Sequence, residues 1–152
     1  MKALCVINGD VSGKIYFEQP TSNAIVKITG HVLGLSRGLH GFHVHEYGDL
    51  TDGCKSAGEH YNPTFQNHGA PNASVRHVGD LGNIVAHVSD ALTEIFLEDD
   101  VISLYGPYSI LGRSLVIHTN KDDLGLTDHP LSKTTGNSGS RLGCGIIGVC
   151  KE

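Results

Sequence analysis

The sequence predicts an all-β chain, an antiparallel sandwich or barrel interrupted by two long loops. Three observations carry this. Helical periodicity is almost absent, short β-rich runs recur between Gly, Asn, Asp and Pro, and 20 of the 152 residues are glycine, a composition rich in turns. A chain of this length builds one domain, residues 1–152, with a proper core.

The first run, 2–8, leads through Asn8-Gly9-Asp10 into a second at 14–19. In the third, 25–33, Val26 and Ile28 alternate with Lys27 and Thr29, as a half-buried strand requires. The fourth, 39–46, carries GFHVHE, and further runs lie at 82–88, 92–98, 101–105, 113–118 and 142–149. Eight or nine such strands indicate Greek-key connections. Two segments break the rhythm, about 47–81 and 119–141. Loops that long are uncommon in a compact domain unless functional, and these hold His60, His68, His77, Cys54 and Arg141. A metal is the natural agent to order them.

Composition excludes several functions. A net charge of −5 argues against nucleic-acid and anionic-membrane partners, which need a basic face. No apolar stretch approaches the roughly 20 residues that span a bilayer. Met1–Asp10 lacks the regions of a secretory signal and reads as a first strand, so a cytoplasmic location is expected. Cys5 and Cys150 sit in apolar runs as small buried hydrophobes. Cys54 and Cys144 lie in Gly-rich segments that the backbone could bring together. Four cysteines allow three pairings, and spacing does not choose among them. A Cys54–Cys144 bridge would close a loop of about 90 residues, worth roughly 4–5 kcal/mol, and would be unusual in a reducing compartment.

The 10 histidines are the second anomaly. His43 and His45 are two apart on a strand, so they share a face while Phe42 and Val44 enter the core. The same parity puts Leu115 and Ile117 on one side and Val116 and His118 on the other. The first long loop adds His60, His68, His77 and Asp80, three imidazoles and a carboxylate that suit tetrahedral Zn²⁺. Nitrogen-only ligation by His43, His45, His60 and His118 would suit Cu(II). Only His60 could serve both sets, through its two ring nitrogens. His40 is three from His43 and faces the core, and His31, His87 and His129 read as surface residues. Asn72-Ala73-Ser74 is a glycosylation sequon that matters only in a secreted chain.

The segments GFHVHEYGD, GEHYNP, RHVGDLGN, VIHTNKDDLG and GNSGSRLGCGIIGV resemble, in order and separation, those of the intracellular copper/zinc superoxide dismutases. The likeness runs from Lys2 to Val149. It implies an eight-stranded Greek-key β-barrel of immunoglobulin-like architecture, with both metals under the two long loops. It implies copper at His43, His45, His60 and His118, and zinc at His60, His68, His77 and Asp80, with His60 the shared imidazolate. It further implies a Cys54–Cys144 disulfide, Asp122 linking His43 to His68, and Arg141 and His60 as catalytic residues. The activity would be dismutation of superoxide to oxygen and hydrogen peroxide, by a homodimer loaded by a copper chaperone. Apolar residues near both termini, Leu4, Val6, Ile147 and Val149, support the dimer.

One departure concerns substrate steering. Pro130 and Leu131 replace an acidic pair usual in this family, and Thr134 stands where a lysine is expected, with Lys133 one place earlier. Lys133, with Lys121 at longer range, is expected to join Arg141 in a positive mouth for the anion. A copper-delivery module on the same fold is the main non-enzyme rival; it would tend to lose copper ligands or the arginine, and here all are present. A structural zinc domain would leave His43, His45 and His118 without purpose, and a zinc hydrolase would need an open metal position and a general base.

Overall fold

In β1 (Lys2–Gly9) Ala3, Cys5 and Ile7 are fully buried while Val6 between them is exposed, the period-2 signature of a wall with one dry face. The computed structural model describes residues 1–152. It continues with β2 (Ser12–Glu18), β3 (Val26–Leu33), β4 (Gly38–His45), β5 (Thr51–Cys54), β6 (Asp80–Ala86), β7 (Leu92–Asp99), β8 (Ser114–His118), the short helix α1 (Ser132–Thr135) and β9 (Arg141–Val149). Eight strands form one antiparallel sheet in the order β6-β4-β8-β9-β1-β2-β3-β7. Its two edges, β6 and β7, approach each other, so the sheet curls into a nearly closed Greek-key barrel. The interior is filled by Phe17, Phe42, Ile15, Ile28, Leu115, Ile117 and Ile147.

Two irregularities in this wall lie where the histidines are. The β4–β6 register shifts between Gly41 and His43, which brings His43 opposite Asp80. The β8–β9 register shifts between Ile117 and His118, which sets His118 opposite Arg141. Such bulges re-aim side chains and concentrate beside active sites.

The expected strand at 101–105 does not form. The amides of Val101 and Ile102 donate to Asp99 Oδ2, and that of Leu104 donates to Gln19 Oε1. Ile102 and Leu104 are buried, so the apolar signal was real, but side chains supply the partners that a ladder would have supplied. Conversely, β5 and α1 lie inside the two segments read as irregular. Ile147 is fully buried in the core, and its neighbour Ile146 is the exposed one. Cys150 is only half-buried, whereas Cys5 is buried and desolvation pushes its thiol up to about 12.

Candidate metal centre

Asp122 is fully buried and holds two rings at once. His43 Nε2 donates to its Oδ2 and His68 Nε2 to its Oδ1, each at 2.7 Å. A carboxylate can only accept, so both imidazoles carry a proton on Nε2, and His43 Nδ1 is left as a free lone pair. His43 Nδ1 and His60 Nε2 are buried with no hydrogen-bond partner. Buried polar atoms are rarely left so; two in one group of donors mark a place for a cation.

On one side, His45 Nδ1 donates to Gly58 O at 2.9 Å and His118 Nδ1 to Gly139 O at 3.2 Å. Their Nε2 atoms converge, 3.3 Å apart. With His43 and His60 they form a group whose ligand atoms all lie within 4.8 Å of one another. On the other side, His60 Nδ1 and His77 Nδ1 lie 2.9 and 3.1 Å from Asp80 Oδ1, and His68 Nδ1 lies 2.9 Å from Asp80 Oδ2. These four make the second group. His60 belongs to both, its Nδ1 turned to Asp80 and its Nε2 unpartnered. Four imidazole nitrogens suit copper, and three with a carboxylate suit tetrahedral zinc. His40 joins neither group, its nitrogens lying 2.9 and 2.8 Å from the carbonyls of His118 and Ser36. His31, His87 and His129 are exposed.

The electrostatics of the two groups differ. Burial, and then neighbouring imidazoles, push His43 and His45 well below the ordinary histidine value and His118 to about 3. These rings are neutral, as ligands must be. Burial alone would raise Asp80, but hydrogen bonds from His60, His68 and His77 outweigh it and hold the carboxyl far below the usual range. Burial lowers His68, yet its bonds to Asp122 and Asp80 win and raise it to about 9.

Specific contacts fix the loops. Cys54 and Cys144 form a disulfide, S–S 2.08 Å, joining β5 to β9. Cys144 packs with Ala57 and Val116 in a small cluster on the outer side of β8. Arg141 opens β9, and its guanidinium donates to Cys54 O at 2.7 Å. Burial lowers its pKa, opposed by Glu59, and it remains a cation. Lys121 is exposed. The Lys133 ammonium donates to Gly125 O at 2.6 Å.

Sequence reasoning missed two supports. Asn83 clamps the Asp122 backbone from both sides, accepting from its amide at 2.8 Å and donating to its carbonyl at 3.0 Å; it stands in the motif RHVGDLGN, where it could have been noticed. Arg76 is buried against Asp99 at 2.7 Å and also donates to the carbonyls of Pro71, His77 and Val78. It ties the first loop to the end of β7, and no local signal announces Asp99 as its partner.

Comparison with known proteins bears on this geometry. Residues 11–147 match the family described as copper/zinc superoxide dismutase (SODC). A protein of Autographa californica nuclear polyhedrosis virus is 68% identical over 151 residues, 99% of this chain and 100% of its own length. One of Orgyia pseudotsugata multicapsid polyhedrosis virus is 66% identical over 150 residues, 99% of each. Both carry superoxide dismutase (Cu-Zn) as an assigned name.

Proposed function

Because the chain belongs to the copper/zinc superoxide dismutase family, and so dismutates superoxide with copper and zinc, we propose that His43, His45, His60 and His118 hold its copper and His60, His68, His77 and Asp80 its zinc. The observation that carries this is the pair of unpartnered buried nitrogens in the first group, His43 Nδ1 and His60 Nε2, beside the three imidazole nitrogens gathered on Asp80 in the second. Bound copper supplies one-electron exchange through Cu(II) and Cu(I), while redox-inert zinc fixes the loop. Asp122 keeps the His43 and His68 rings in one tautomer, the role of an outer carboxylate. His60 carries a proton at Nε2 in alternate half-cycles and delivers it to the reduced anion, which takes a second proton from water and leaves as hydrogen peroxide. Arg141 binds the anion by charge-assisted hydrogen bonds, and the charges of Lys121 and Lys133 add a positive field at longer range. A copper-delivery module is not favoured, since both relatives are named as dismutases and Arg141 stands with two complete groups.

The protein works as a cytoplasmic homodimer loaded by a copper chaperone. Val6, Ile146 and Val149, 45%, 46% and 70% exposed, supply an apolar dimer face beside Leu4, and light scattering is expected to give about twice the 16.2 kDa chain mass. The enzymatic test is pulse radiolysis of the metal-loaded protein. Arg141→Ala is expected to lower the second-order rate about tenfold or more, the scale of a charge-assisted bond, at unchanged copper content. An unaltered rate would remove Arg141 from the mechanism.

A further inference from the structure

We infer that Lys133 is a positioning residue that staples the second long loop to the first and so holds the zinc half of the centre; the inference rests on the zinc assignment to His60, His68, His77 and Asp80. Lys133 makes two bonds in two directions. Its ammonium donates to Gly125 O at 2.6 Å, within its own loop. Its main-chain carbonyl accepts the amide of His68, in the other loop, at 2.8 Å. Gly125 in turn lies directly on His68: with φ at +73°, it leaves so little room that a Cβ there would meet His68 O at 2.6 Å. The three segments form one knot around His68.

This knot is what gives α1 its position. A four-residue helix has no stability of its own, and α1 lacks a side-chain cap at its start. Its anchors are the buried Ser132, whose hydroxyl donates to Asp123 Oδ1 at 2.9 Å, and Lys133. At its end, Gly136 lies flat on the bond between Asp122 and His68. A Cβ there would meet Asp122 Oδ1 at 2.0 Å and His68 Nε2 at 2.5 Å. Loosening Lys133 therefore loosens the cover of the carboxylate–histidine link that orients a zinc ligand.

Charge and staple act on zinc with opposite signs. A lysine that only adds positive potential beside a divalent cation repels it, so its removal strengthens zinc binding. A lysine that holds His68 in place supports zinc, so its removal weakens binding. The experiment is transfer of zinc from the fully loaded protein to a chelator. Lys133→Met, which keeps the stem and loses the donor, is expected to release zinc about 10-fold faster, the low end for losing an outer support of a metal ligand. In the metal-free protein its His68 amide should exchange with deuterium faster, and the cobalt(II)-substituted protein should show a shifted visible spectrum. Lys133→Arg, which keeps charge and donor, should restore all three. Release that is slower or unchanged in Lys133→Met, with His68 exchange unaltered, overturns the staple. A cobalt spectrum of the wild-type protein that ignores His77→Ala overturns the zinc assignment itself.

Discussion

Phe42 and His43 are neighbours on β4 and both are fully buried, yet opposite forces bury them. Phe42 points into the barrel, among Leu115, Ile117 and Ile147, where removing apolar surface from water supplies the free energy. His43 points outward into a layer built from His45, His60, His68, His118, Asp80 and Asp122 and roofed by the two loops. There burial carries a cost for every polar atom unless each finds a partner. The inner layer is complete without an ion. The outer layer leaves His43 Nδ1 and His60 Nε2 unpaired, so it is complete only with one. The barrel stands by itself, whereas its outer layer depends on metal.

The strongest way to break that contrast is to withdraw the metals. Chelation is expected to destabilise segments 47–81 and 119–141 by several kcal/mol, since metal binding energy becomes folding energy where ligands are gathered, while amides of β1, β2 and β3 keep their protection in hydrogen exchange. A uniform loss over the whole chain would erase the distinction. Phe42→Ala tests the other side. It is expected to cost about 3–5 kcal/mol, by the same amount with and without metal, in calorimetry of both forms. Reducing Cys54–Cys144 comes next, at about 2–5 kcal/mol, with new exchange concentrated between Tyr47 and Leu81. Peptide mass spectrometry that pairs Cys54 with any cysteine other than Cys144 would remove the basis for this.

These differences also explain what could be read from the sequence. The wall follows a rule of period two, so Ala3, Cys5 and Ile7 or Val26 and Ile28 announce their face directly, and strand positions fell within a few residues. The rule failed at 101–105 because burial there is the same, while the amides are satisfied by Asp99 and Gln19 from elsewhere in the chain. Within the loops, periodicity is silent and chemistry speaks instead. His60, His68, His77 and Asp80 were legible as a donor set whose residues do meet in space. The supports of that set were less visible. Arg76 and Asp99 are 23 residues apart, and nothing local pairs them. Lys133 was read by its charge; its bond to Gly125 depends on how the loop folds back. Ile146 and Ile147 are both apolar, so only the register of β9 decides which faces solvent.

Smaller effects separate the two halves of the outer layer. Asp122→Asn keeps the shape but supplies one acceptor in place of two, and it is expected to weaken metal affinity about 10–100-fold, measured by competition with a chelator. The metal-free protein should also show opposite pH senses. His118, lowered to about 3, is neutral when folded but binds a proton when unfolded below its ordinary value of 6.5. Stability on the copper side therefore falls as pH drops below 6.5. His68, raised to about 9, contributes stability that is full below 6.5 and lost as pH rises through 9. Amide exchange near His118 and near His68, corrected for intrinsic rates, should diverge accordingly between pH 5 and 9. Parallel profiles would mean that Asp122 and Asp80 do not hold the His68 proton. With zinc at His68 as proposed, that proton has to leave, so zinc addition at pH 7.5 should release about one proton per chain.

The most direct measurement is anomalous diffraction at the copper and zinc absorption edges from crystals of protein supplied with both ions. A copper signal is expected among His43, His45, His60 and His118 and a separate zinc signal among His60, His68, His77 and Asp80, with the His60 ring between them. Zinc alone, with His43 and His118 contacting no ion in a fully supplied crystal, would contradict it.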